Sequence, residues 1–153
     1  MIAIHDSTVQ AYAVDFEIGT LTIKTTYQAA NVFTKTNVLF SGYLAHFFEN
    51  EMKGSIIFDI QEYPFELFFK NESALIEQRK HYSWPIHYET INELIQYLQT
   101  HKYKIFEISS SIGLCGLVFA KKNGDVMLRN LAEETNETHI EIANVLSKKP
   151  IMK

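Results

Sequence analysis

Three features of this 153-residue chain predict an α+β fold on a mostly antiparallel sheet of about six to seven strands. Apolar and polar residues alternate with a period of two through the first third, and the alternation returns after residue 102. Helical spacing dominates only in the middle of the chain. The links between most strands are too short for helical crossovers, so neighbouring strands pair antiparallel. Two main helices are then inserted between strands four and five and packed on one side.

The elements follow in order. Tyr12, Val14, Phe16 and Ile18 alternate on one face of a first strand, and Gly19 supplies a hairpin corner because it takes positive φ without penalty. Thr20 to Gln28 is a second strand with apolar residues at odd positions, Thr25 excepted. Val32 to Phe40 is a third, and Ser55 to Ile60 a fourth with a nearly continuous apolar run. Between those two, Tyr43, Leu44, Phe47 and Phe48 have the spacing of a short helix or helical turn. From Pro64, Phe65, Phe68 and Phe69 share a helical face, with a weak spot at Asn71-Glu72-Ser73 before Leu75 and Ile76. Thr90-Ile91-Asn92-Glu93 is a capping box opening a second helix that carries Ile91, Leu94, Ile95 and Leu98 and ends near His101. Sheet returns with Tyr103 to Ser110 and Leu114 to Lys121, and Asn123-Gly124 reads as a hairpin turn into Val126-Met127-Leu128. Residues 131–153 are either a C-terminal helix or a tail, and Ile140/Ile142 alternation also permits a strand there.

Composition limits the function classes. A chain of this length, 46% hydrophobic and 13% aromatic, buries a sizeable core, and the absence of any linker or repeat predicts one domain over residues 1–153. No apolar run reaches the roughly 20 residues of a membrane-spanning helix, and the N-terminus has no signal-peptide pattern. One cysteine, Cys115, cannot form an internal disulfide, so the expected location is cytoplasmic. A net charge of −4 without a basic face argues against a nucleic-acid partner.

No motif declares a reaction. Cys115 opens an apolar strand and reads as a structural thiol rather than a nucleophile on a strand-to-helix elbow. The six histidines form no zinc pattern, so no metal and no cofactor is implied and no catalytic residue is assigned. His46 and Glu49 lie three apart, at a spacing that supplies two ligands if the segment is helical. Two groups merit attention. His5, Asp6 and Asp59 lie near strand ends and form a candidate polar cluster, which either does acid–base work or ties down the N-terminus, the structural role being favoured. Tyr82, Trp84, His87 and Tyr88 form a candidate interaction loop between the helices, where aromatic anchors would suit a protein partner.

The succession His5-Asp6-Ser7, an alternating hairpin, Phe40-Ser41-Gly42-Tyr43, Ile56-Ile57-Phe58-Asp59-Ile60 and Trp84-Pro85-Ile86 resembles a group of small Bacillus-type proteins. Some of these are encoded near polymorphic-toxin or wall-associated-protein loci and are candidate immunity proteins. The resemblance covers most of residues 3–122 and stops before the tail after Asn130. It implies a cytosolic bacterial protein with no established enzymatic activity and carries over no catalytic residue.

The expected function is therefore a non-enzymatic protein-binding module, with toxin immunity as its specific form and a toxin domain or other protein as its partner. The alternative is a small ligand-binding domain or enzyme using His5, Asp6 and Asp59. Homo-oligomer formation stays open, and neither a membrane nor a nucleic acid is expected as a partner.

Overall fold

A computed structural model describes residues 4–121, 126–133 and 138–141. Its strands are β1 (Ser7–Asp15), β2 (Thr20–Ala29), β3 (Val32–Ser41), β4 (Ala45–Glu49), β5 (Ile56–Tyr63), β6 (Tyr103–Ile112), β7 (Cys115–Lys121), β8 (Val126–Glu133) and β9 (Thr138–Glu141). The helices α1 (Phe65–Asn71), α2 (Ser73–Lys80) and α3 (Ile91–Thr100) all fall between β5 and β6. The strands form one sheet in the order β4-β7-β6-β5-β1-β2-β3-β8-β9, and every pairing is antiparallel. The expected α+β, antiparallel architecture is present, with seven of the strands between Ser7 and Lys121.

The helices follow the fifth strand rather than the fourth, because the segment expected to be a helical turn is strand β4. Its spacing of large residues also satisfies a strand. His46 and Phe48 point to one face and Phe47 and Glu49 to the other, and all four find partners along β7. The helical region contains three helices because the chain breaks at Glu72 (φ −111°, ψ 23°), the weak spot in the periodicity. The first strand ends earlier than its alternation implies: Asp15 Oδ1 accepts the Glu17 and Ile18 N–H groups at 3.0 and 2.9 Å, which folds Phe16 and Ile18 into a turn.

Strands β7 and β8 do not form the expected hairpin with each other. The edges of β7 are taken by β4 and β6, so β8 runs alongside β3 and β9. The Asn123-Gly124 turn itself lies outside the described residues. In the tail, residues 131–133 end β8 and residues 138–141 are β9, and the remainder lies outside the described residues.

The sheet folds over on itself into two walls. Strands β1, β2 and β3 form one, and β5, β6, β7 and β4 the other. The walls are stitched at one side by only two β1–β5 pairs, Ser7 with Ile57 and Thr8 with Ile56. At the other side the chain passes from β3 through Gly42 into β4, where Leu44 N–H bonds to Phe119 O at 2.8 Å. Register places Leu21 opposite Phe40 and Ile23 opposite Val38 on the inner face of the first wall. They pack against Phe106, Ile108, Val118 and Ala120 of the second, and the whole set is buried. Thr25, the polar exception in β2, is also buried, and its hydroxyl donates to the Thr36 carbonyl at 2.9 Å.

The helices cover the outer face of the second wall. Ile105, Leu117 and Phe119 meet Phe68, Ile76, Leu94 and Leu98 in a second apolar cluster. Helix α3 is capped as its sequence predicts: Thr90 Oγ1 accepts the Glu93 N–H at 3.2 Å, and the Glu93 carboxylate reaches back to the Glu89 N–H at 3.1 Å. The molecule is thus three layers deep, and the second wall is covered on both faces.

Candidate functional site

The residues singled out from the sequence separate into distinct environments. His5 and Asp6 pair with each other, Nδ1 to Oδ2 at 2.9 Å, on the surface where such a pair stabilises little. The His5 ring also lies 4.7 Å from that of Phe58. Asp59 is engaged elsewhere: its carboxylate accepts from the Ile60 N–H at 2.8 Å and from the Gln61 amide at 2.6 Å. What ties the N-terminal segment to β5 is backbone, the Asp6 N–H to the Ile57 carbonyl at 2.9 Å. The geometry thus brings His5 and Asp6 together and gives Asp59 its own partners.

The loop between α2 and α3 divides in the same way. Tyr88 is buried and donates its hydroxyl to the Ile76 carbonyl at 3.3 Å. Trp84 is half-buried, with its ring 5.4 Å from Phe119 and 6.3 Å from Phe47. Both serve the second apolar cluster, because the outer face of β7 needs large side chains to cover it. Tyr82 and His87 are exposed, and His87 Nε2 lies 3.4 Å from Glu89. Of the four proposed anchors, Tyr82 and His87 are the ones free to meet a partner.

Two features escaped the sequence reading. The first is a polar–aromatic cluster where β1 meets β4. Tyr43 Oη and His46 Nδ1 are 2.7 Å apart, and the rings of Tyr12 and Phe48 pack around the imidazole. Burial pushes the His46 pKa down, opposed weakly by the Glu51 carboxylate, and burial raises that of Tyr43. Tyr12 donates to Glu51 Oε1 at 2.6 Å, and this bond, helped by burial, pushes its pKa up to about 12. These rings fill one another's space, so the cluster is packing with a polar seam.

The second feature is a depression of about 300 Å³ on the helix-bearing face of the second wall. Its origin is the alternation of β6 and β7. Along β6 the outward positions run Ile105, Glu107, Ser109, from apolar to polar, and along β7 they run Phe119, Leu117, Cys115, from large to small in the same direction. The helices cover the apolar end and stop. At the polar end, Glu107 from β6, Glu49 from the end of β4 and Glu72 from the α1–α2 break line the hollow, with Leu75 and Phe47 beside them. The lining includes three carboxylates and no cationic side chain. Cys115 borders it half-exposed as a free thiol, with the Asn50 amide 3.8 Å from its sulfur.

Among the described residues, no group of three His, Cys, Asp or Glu side chains is placed to hold a metal ion. No helix among them is long and apolar enough to cross a membrane. No protein-family model, no curated protein and no solved structure matches the chain.

Proposed function

We propose that this chain is a non-enzymatic protein-binding module of the toxin-immunity kind, working in the cytoplasm and blocking a basic partner by occupying its surface. The observation that carries this reading is the hollow lined by Glu49, Glu72 and Glu107. Three elements deliver carboxylates to one concavity with apolar Leu75 at its side, which suits the stem and charged head of a partner's lysine or arginine, as the chain's own Arg79 already lies 4.6 Å over the ring of the neighbouring Phe47. The net charge of −4 acts in the same direction, since an acidic surface steers a basic protein toward it and speeds encounter. The resemblance to candidate immunity proteins fits a role in which shape and charge, rather than a reaction centre, do the work.

Charge reversal tests the reading. Glu49 and Glu107 are exposed and lack structural partners in the core, so Glu107→Lys and Glu49→Lys leave the circular dichroism spectrum and melting temperature unchanged. The tagged chain is co-produced with the polypeptide encoded beside it, and the affinity of the purified pair is measured by calorimetry. A stoichiometric complex that weakens by roughly tenfold or more in either variant, and weakens as salt rises, is the expected result. A complex indifferent to both reversals overturns the assignment of the hollow, and no complex at all overturns the immunity reading.

A further inference from the structure

The β1–β2 turn has features that neither the core nor the acidic hollow explains. Phe16 and Ile18 are 80% and 75% exposed, the highest values among the exposed large hydrophobic side chains described. They do not sit on a loose loop. Asp15 Oδ1 holds the Glu17 and Ile18 N–H groups, the Gly19 N–H returns to the Asp15 carbonyl at 2.9 Å, and the Gly19 carbonyl takes the Tyr43 N–H at 2.9 Å. The turn is therefore fixed at its base and bolted to the corner between β3 and β4. The ring of Phe16 leans toward Tyr43, at 6.1 Å between centroids, so the exposed apolar surface continues onto a half-buried tyrosine.

We infer that this turn is a docking tip whose Phe16 and Ile18 insert into an apolar cleft, rimmed by basic side chains, on a partner protein. The inference rests on the protein-binding reading above and adds a second, separate point of attachment to it. Large side chains on a backbone already held in place cost no loop ordering on binding, which is what makes an anchor effective. The charge around them selects the partner. The exposed Glu17 lies between the two apolar residues in the chain, Asp15 precedes them, and residues 15–19 contain no cation. An anionic lipid surface repels such a tip. A second copy of the chain is disfavoured too, because a two-fold contact centred here sets Glu17 against its own image. A cleft with lysine or arginine at its mouth buries the apolar pair and pairs the carboxylate at once.

The test uses the full chain in bacteria that produce it. A benzophenone amino acid replaces Phe16, Ile18 or, as control, the exposed Leu67 of α1. After irradiation, positions 16 and 18 are expected to yield the same heterologous protein and position 67 not to. That protein, once purified, is expected to lose at least about tenfold in affinity for Phe16→Ala and for Glu17→Lys but not for Leu67→Ala. Adducts of the chain with itself overturn the proposal in favour of self-association. Sedimentation with vesicles of phosphatidylglycerol and phosphatidylethanolamine that Phe16→Ser abolishes overturns it in favour of lipid. An affinity unmoved by Glu17→Lys, or no adduct at either position, overturns it outright. If Glu107→Lys still disrupts the complex with the neighbouring gene's product while the tip gives no adduct, the tip fails and the binding reading stands.

Discussion

His46 lies between Tyr12, Tyr43 and Phe48, and its imidazole meets the Tyr43 hydroxyl at 2.7 Å. Burial makes the neutral ring the favoured form, so its folded pKa falls below the ordinary 6.5. The unfolded chain then binds the proton more readily, so stability held by this residue is complete above pH 6.5 and is lost as pH falls through the depressed folded value. His46→Gln is expected to lose less stability than the parent between neutral and mildly acidic pH, in paired urea titrations at the two pH values. An equal loss in both proteins would show that His46 titrates alike folded and unfolded. The sequence offered no sign of this cluster because it draws on β1, the β3–β4 corner and the segment after β4. In the sequence His46 stands out only beside Glu49, at the spacing of a ligand pair on a helix, whereas in the strand those two residues point to opposite faces. Cys115 illustrates the same limit: its apolar neighbours implied burial, but it stands at the first position of β7, where the helices no longer cover the sheet.

At the scale of elements, β2, β3, β5, β6, β7 and α3 were legible because each carries alternation, an apolar strand-length run or helical spacing over most of its length, and α3 also carries its own cap. Strand β4 was not, since five residues with three aromatic rings satisfy a helical turn and a strand alike. What decides it is a partner that appears in the chain much later. Gly116 of β7 pairs with Phe48 at φ 152°, and a Cβ there would strike the Phe47 carbonyl oxygen and approach the Phe48 Cα to 2.9 Å. Gly116→Ala is therefore expected to cost about 1–3 kcal/mol, or more where β4 lifts away, measured by urea unfolding. Gly54→Ala is the useful contrast. Its position also has positive φ, 86°, but nothing lies within 4 Å of the added carbon, so only the backbone preference is lost. Equal costs for the two variants would refute the close approach of β4 to β7. The first strand shows the converse of β4: alternation continued through Phe16 and Ile18, yet the Asp15 carboxylate ended the strand and left them outside the core.

For the whole molecule, composition and element order sufficed for the class of fold, and the aromatic count anticipated how much surface the core would need. They did not reveal that the sheet doubles back on itself, because that depends on which strands meet. The acidic hollow was invisible for the same reason. Glu49, Glu72 and Glu107 are far apart in the chain and become neighbours only when β4 joins β7 and the helix pair breaks at Glu72. The passage from β3 through Gly42 into β4 has a further consequence, which concerns synthesis. A ribosome releasing this chain delivers the first wall, with Leu21, Ile23, Val38 and Phe40 on its inner face, well before Phe106, Ile108, Val118 and Ala120 exist to cover it. The β4 segment emerges at the same time and has no strand to pair with until Cys115–Lys121 has left the tunnel. Nascent chains stalled after Thr100 are therefore expected to be cut quickly by proteinase K, and those that have fully exposed Lys121 to resist it. Until that point, protection of the growing apolar wall falls to the cell's chaperones rather than to the protein's own structure.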